Sequence, residues 1–488
     1  LHNYLRDMSR KAGRPGYNII GLVDTEANHK GRSLRSFPIL GSLDDLRKLV
    51  TDITRSEGAP PTLIAADTNS DRVRSHNLVK LASEMGAPLV RVGRDASQLL
   101  TPFEAADLIG RNVKALDMTP VKRLISGRRV MITGAGGSIG SEIARQVAGL
   151  SPSRLVLVDV SEFNLYEIDR KLGRDFTDEK DKVWFPYLAN ICDRMRLSEI
   201  FEQEKPEIIL HAAALKHVHL SEDNPGETLR TNIGGTQNLL ELAKEHGTES
   251  FTLISTDKAV NPTNVMGASK RIAEMLTMMK DASGVHMSAC AVRFGNVLAS
   301  TGSVVPLFEE QIARGGPVTV THKDVNRFFM TTEEAAALVL QAAALNATQH
   351  PDLASIYVLE MGEPVKIARL ARQLIRLRGL VPDRDIMIEY TDLRPGEKIT
   401  ELLTSETEKL ESTYVQGISR ISERMADPRS LSRNINKLMS AIDTREAKAI
   451  SQALSALVPT YTLNESLSDT PPAVKSAQII PLAEPTRK

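Results

Sequence analysis

Residues 255–258, Ser-Thr-Asp-Lys, set two hydroxyls, a carboxyl and an amine side by side, which is what a site needs to pass protons to and from a small molecule. Lys270 follows on the next expected helix, four residues after Met266, so the two side chains share a face. A thioether neither donates nor usefully accepts a proton, which excludes Met266 from such transfers. Asp257 and Lys258 can act as acid and base only if the carboxyl holds a proton and the amine loses one. Burial favours both changes, and the Lys270 ammonium further favours loss from Lys258, whereas pairing between the two opposes it. An ordinary Asp-Lys pair in a surface loop is the plain alternative.

A second cluster suits a phosphate. The strand RRVMIT runs into Gly134-Ala-Gly-Gly137-Ser138-Ile139-Gly140 and then the helix SEIARQVAGL. Glycines allow a tight turn and a close approach to a pyrophosphate, while the helix N-terminus offers free N–H groups and partial positive charge. The spacing is G-x-x-G-x-x-G; the usual G-x-G-x-x-G would need glycine where Ile139 stands. That spacing resembles the short-chain dehydrogenase/reductase superfamily, and the chain length points to its extended branch. Asp159, closing LVLVDV, is placed to hydrogen-bond an adenosine ribose and to repel a 2′-phosphate, favouring NAD over NADP; it also suits a helix N-cap. Asn190 and Ile191 stand where superfamily members place Asp and an apolar residue at the adenine. In His-Ala-Ala-Ala, Ala212 and Ala213 leave room for a dinucleotide, or simply allow close packing.

The elements that must position these residues are legible as alternating strands and helices. From about Gly127, RLVLVDV, KVWFPYLAN, IILHAAA, FTLIST, SACAVRFGNV and IYVLEMG read as strands separated by amphipathic helices, the pattern of an α/β, doubly wound parallel sheet. Ligands bind outside the C-terminal ends of such strands, where Ser255 to Lys258 fall. Residues 127–300 are expected to form this dinucleotide-binding domain, 301–465 a smaller substrate lobe with returning elements and C-terminal helices, and 466–488 a disordered tail rich in Pro and small polar residues. Upstream, 1–100 reads as a small Rossmann-like α/β unit (YNIIGLVD, TLIAAD, PLVRV) with a structural or regulatory role, joined by a connector over 101–126. Lys plus Arg and Asp plus Glu both number 61 in 488 residues, so no net field favours nucleic acid or an anionic membrane. Cys192 and Cys290 have no paired spacing, which indicates neither disulfide nor zinc site and suits a reducing compartment. No apolar run reaches the roughly 18 residues of a membrane span. The chain starts at Leu1 and enters a strand almost at once, which reads as a fragment and leaves room for an upstream anchor.

STDKAVNPTNVMGASKR, with AAALKHVHL, RFGNVLASTGSVVPLF, NRFFMT, EMGEPVKI and DLRPGEK, resembles the polysaccharide-biosynthesis, CapD-like family of nucleotide-sugar 4,6-dehydratases acting on UDP-N-acetylglucosamine. The matches span about Ser126 to Leu403. Longer members carry N-terminal membrane helices, and members commonly have Met where the superfamily's catalytic Tyr stands. The resemblance implies bound NAD, a UDP-sugar substrate, a homo-oligomer and a cytoplasmic site, at the inner membrane face if an anchor precedes Leu1. Dehydration needs temporary oxidation at C4, which acidifies the C5 proton and lets the C6 hydroxyl leave before hydride returns to C6. By resemblance Asp257 is the acid toward that hydroxyl, Lys258 the base at C5, Thr256 the residue orienting the C4 hydroxyl and Lys270 a ribose ligand. Asn296, Arg327 and Arg394 are expected at the sugar diphosphate, with Glu397 orienting Arg394 or a ribose hydroxyl. Lys216 and His217 are expected to face the sugar. A 4- or 5-epimerase on the same substrate, or a non-catalytic NAD-binding regulator, would share most of these features.

Overall fold

β-Branched and aliphatic runs in the middle of the chain become the strands of one large sheet: β1 (Arg129–Thr133), β2 (Arg154–Asp159), β3 (Trp184–Leu188), β4 (Ile208–His211), β5 (Ser250–Ile254), β6 (Ser288–Arg293) and β7 (Ser355–Leu359). They run parallel in the order β3-β2-β1-β4-β5-β6-β7. The computed structural model describes residues 19–461 except 25–28, 35–36, 67–71, 93–99, 104, 109–115, 177–181, 280–286, 299, 350–353 and 423–426. The tail expected to be disordered therefore lies outside the described residues. A hairpin of β8 (Lys409–Ser412) and β9 (Ile418–Ser422) adds antiparallel to β7 and makes the sheet nine-stranded.

Both faces of the sheet are covered, which is why its strands read as continuous apolar runs. On one side Leu239, Ile272 and Ile435, from the helices Gly235–Glu245, Val265–Met278 and Pro428–Thr444, join the core; on the other Val147, Ile168 and Leu340 do so from Ser138–Ala148, Glu162–Asp175 and Thr332–Gln349. Strand order reverses between β1 and β4, so the crevice beside the glycine turn is the switch point at which ligands of such sheets bind. Within the stretch expected as a connector, the described residues include a short strand end and a helix. Their helix Thr119–Ile125 seals Val121 and Ile125 into the core.

The upstream residues pair as two small sheets. Leu22–Asp24 lies parallel to Phe37–Ser42, and Leu63–Ala65 lies parallel to Leu89–Val92, which also pairs with Leu100–Pro102; Phe37–Ser42 and Leu100–Pro102 were not foreseen as strands. Val79, Ala82 and Leu89 share a core with Phe308, Leu370 and Ile375 of the smaller lobe. Arg376 Nη1 donates to Ser83 Oγ at 3.1 Å across that junction. Among the described residues no helix is long and apolar enough to cross a membrane.

Candidate active site

The glycine turn is built so that backbone meets backbone. Gly134 has φ +66°, and a Cβ there would lie 2.6 Å from the Ala213 nitrogen; a Cβ on Gly140 would lie 2.0 Å from the Gly134 oxygen. Ala212 and Ala213 are thus pressed against the turn at the end of β4. Gly136, which the spacing did not single out, donates its N–H to Asp159 Oδ2 at 2.9 Å, while the Ser161 N–H reaches Asp159 Oδ1 at 2.9 Å. Asp159 therefore ties β2 to the turn. It does not cap the following helix: Ser161 does, accepting from the Asn164 N–H at 3.3 Å. Asn190 Oδ1 accepts from the Cys192 N–H at 2.9 Å, and Ile191 is buried against Gly235, so only Asn190 of that pair is exposed.

Three residues from two motifs converge on one loop. Ser138 Oγ accepts from the Thr301 N–H at 3.1 Å, Lys216 Nζ donates to the Thr301 carbonyl at 2.9 Å, and Gly302 packs on the His217 ring, where a Cβ would lie 2.7 Å from Cε1. Gly137 and Ile139 complete the turn above it.

Lys270 is 6 % exposed, and its amine makes no hydrogen bond among the described residues. Burial pushes it down to about 8 against the pull of Glu274. Nearby His211 is held between Thr133 Oγ1 (2.7 Å) and Thr236 Oγ1 (3.0 Å), and burial plus the Lys270 charge push its imidazole down to about 3. It is neutral and structural. A cradle that a Cβ would fill, a carboxylate at the end of β2 and an unpartnered buried amine are together what a dinucleotide needs, so the residues fit NAD. Gly140→Ala is expected to weaken NAD binding at least tenfold, since the turn must shift to admit the methyl; calorimetric titration of NAD checks it.

At the end of β5, Thr256 Oγ1 donates to Asp257 Oδ1 at 2.8 Å, and Lys258 Nζ donates to the same oxygen at 3.0 Å and to Asn296 Oδ1 at 3.3 Å. Asp257 is wholly buried, and its Oδ2 has no hydrogen-bond partner. Ser255 is not available for the same work, because its hydroxyl donates to Glu274 Oε1 at 2.6 Å. Met266 is 4 % exposed, part of the packed wall above Lys270. Of the opposing influences on Lys258, burial works against its charge, but Asp257 and Glu401 outweigh it and raise its pKa, so pairing prevails over desolvation.

In the smaller lobe, the expected pairing of Glu397 with the Arg394 side chain is replaced by another. Glu397 Oε1 pairs with Arg327 Nη2 at 3.0 Å, and Glu397 meets Arg394 only through that residue's backbone N–H, at 3.3 Å. Arg327 is further held by the carbonyls of Asn326 and Ile399 at 2.7 and 3.1 Å, whereas the Arg394 side chain is exposed. Sequence reasoning also missed Glu401, 3.7 Å from Lys258 Nζ, and the buried ladder behind the strand end. In that ladder Arg293 pairs with Glu274 (Nε to Oε1 2.7 Å) and Glu408 (Nη1 to Oε1 2.8 Å). The acidic residues just past DLRPGEK were the signal for Glu401; nothing local marks Glu408.

A doubly wound sheet with a glycine turn at its switch point and a hydroxyl and a lysine flanking the next strand end defines an enzyme of the extended short-chain dehydrogenase/reductase kind. The chain belongs to the polysaccharide biosynthesis protein family, which matches residues 130–423, as its motifs indicated. It is 40 % identical over 412 residues to the capsular polysaccharide biosynthesis protein CapD of Staphylococcus aureus, covering 83 % of this chain and 67 % of that one. It is 46 % identical over 315 residues to the probable polysaccharide biosynthesis protein EpsC of Bacillus subtilis, covering 64 % of this chain and 51 % of that one. The chain thus spans about two thirds and half of these relatives. Among solved structures, Pen from Bacillus thuringiensis superimposes with a TM-score of 0.55 at 29 % identity, over 62 % of this chain and 90 % of that one.

Proposed function

We propose that the protein is a nucleotide-sugar 4,6-dehydratase that converts UDP-N-acetylglucosamine to the UDP-4-keto-6-deoxy sugar for glycan assembly. The observation that carries this reading is the buried Asp257-Lys258 pair at the end of β5, where a dehydrogenase or simple binder needs no second acid and base. When bound at the glycine turn, NAD supplies reversible hydride transfer at the sugar. The chain's own residues supply the protons. Their roles require the single proton on the 3.0 Å Lys258–Asp257 hydrogen bond to move to Asp257. Substrate binding expels water, and desolvation penalises an ion pair more than its neutral form, so it drives that transfer without removing net charge from the site.

Lys258, then neutral, takes the C5 proton; Asp257, then protonated, gives its proton to the departing C6 hydroxyl as water. Thr256 orients the C4 hydroxyl, whose proton leaves through a relaying water as C4 is oxidised; Lys258 returns a solvent-exchanged proton to C5 when hydride comes back to C6, and Lys270 would hold the cofactor ribose. Arg327, fixed by Glu397, the exposed Arg394 and Asn296 would hold the diphosphate, with Lys216 and His217 facing the sugar.

Incubation with UDP-N-acetylglucosamine and NAD in deuterated water, followed by proton NMR, tests this. A new C6 methyl signal with deuterium at C5 is the expected result. Deuterium at C5 with the C6 hydroxyl kept would indicate a 5-epimerase, a C4-inverted product without deuterium a 4-epimerase, and NAD binding without any conversion a regulator; each would overturn the dehydratase reading.

A further inference from the structure

Glu401 lies on the lobe side of the cleft, beyond the Arg394–Glu397 turn, and is 3 % exposed. Its Oε1 is 3.7 Å from Lys258 Nζ, and its Oε2 is 3.7 Å from Lys398 Nζ. Lys398 in turn donates to the Val260 carbonyl at 2.8 Å, just past Asp257 and Lys258. Asp257, Lys258, Glu401 and Lys398 therefore form a closed cluster of two carboxylates and two amines, half from the sheet and half from the lobe.

The geometry is not that of a structural brace. Both Glu401 contacts exceed hydrogen-bond length, and Glu401 Oε2 is buried with no hydrogen-bond partner, as is Asp257 Oδ2. Leaving a buried carboxylate oxygen unpaired costs free energy that a well-formed pair would recover. What Glu401 supplies instead is negative potential at Lys258. Among the described residues, the charged groups facing that amine belong to the cluster or its rim: Asp257 and Glu401 hold its proton on, while Arg327 and Lys398 oppose them; Asn296 is neutral.

We infer that Glu401 is a positioning residue of the reacting centre, which sets the location and proton affinity of Lys258 from the substrate lobe. The inference rests on the assignment of Lys258 as the base. It deepens that assignment, because a lobe that moves on substrate binding would carry Glu401 with it and change the readiness of Lys258 to give up its proton.

The test reads Lys258 directly, without turnover. Trace acetylation by acetic anhydride labels only neutral amine, and mass spectrometry of the Lys258 peptide across a pH series gives its labelling midpoint. Glu401→Gln is expected to lower that midpoint by about one pH unit, because one of two carboxylate partners is lost. Lys398→Met is expected to raise it. A purely structural role predicts no such opposed shifts, so a midpoint unmoved or raised in Glu401→Gln overturns the inference. Should that variant fail to fold, a midpoint unmoved or lowered in Lys398→Met does the same. The two readings separate cleanly: shifted midpoints with no C6 methyl product from the unmodified protein refute the dehydratase assignment alone, and methyl product with unshifted midpoints refutes the role of Glu401 alone.

Discussion

Asp257→Asn is expected to lower formation of the C6 methyl product by roughly 10² to 10⁴-fold while NAD still binds. The amide keeps the side chain's size and can still accept from Thr256 and Lys258, so the strand end stays in place. What it cannot do is carry the proton that the leaving hydroxyl needs. The glycine turn lies at β1, two strands away, and makes no contact through Asp257, which is why cofactor binding is spared. Single-turnover NMR together with NAD titration checks both halves. Dehydration near the original rate in this variant would remove Asp257 from the mechanism.

The second large effect concerns stability. Arg293→Met should destabilise the fold by roughly 3–5 kcal/mol, the usual result of removing one partner from a buried charged pair. Arg293 is 0 % exposed and neutralises both Glu274 and Glu408; without it Glu274 keeps Arg271 and the Ser255 hydroxyl, and Glu408 keeps the Ser405 N–H, but the cation between the two carboxylates is lost. Burial works against the charge on Glu274, but Arg293, Arg271 and Ser255 hold its carboxyl down to about 2, below its ordinary value of 4.5. A depressed carboxyl contributes stability above its unfolded value and loses it as pH falls from about 4.5 toward 2. Urea denaturation at neutral pH and at about pH 3 should therefore show a smaller acid loss for Arg293→Met than for the unsubstituted protein. Equal losses would mean that Arg293 does not hold Glu274 ionised.

The fold was legible wherever a local pattern decided the outcome. Continuous apolar runs marked the parallel strands, and the glycine turn between RRVMIT and its helix announced the switch point. The polar cluster at the end of β5 was legible for the same reason, since Thr256, Asp257 and Lys258 are neighbours in sequence. What escaped were convergences over long separations. Glu397 chooses Arg327 over Arg394 because residues 326–327 bond to Ile399 and Thr400 just beyond Glu397, which brings Arg327 to it, and no spacing in Arg-Pro-Gly-Glu-Lys encodes that. The balance between burial and pairing at Lys258 was left open in the sequence because one of its two carboxylate partners, Glu401, arrives from the other lobe. Likewise Asp159 could be read as cap or ribose ligand, but its bond to the Gly136 N–H depends on how the turn folds back over β2.

The antiparallel hairpin β8–β9 bears on the order in which the enzyme matures. Glu408, just before it, supplies half of the neutralising charge for Arg293, and β9 completes the pairing of β7. During synthesis the nascent chain exposes Asp257 and Lys258 long before these residues leave the ribosome, and domains settle from the N-terminal side first. A chain paused before Glu408 holds Asp257, Lys258 and the glycine turn but lacks Arg293's second carboxylate and the sheet's closing edge. The charge balance behind the β5 strand end is therefore completed late, when the last strands dock.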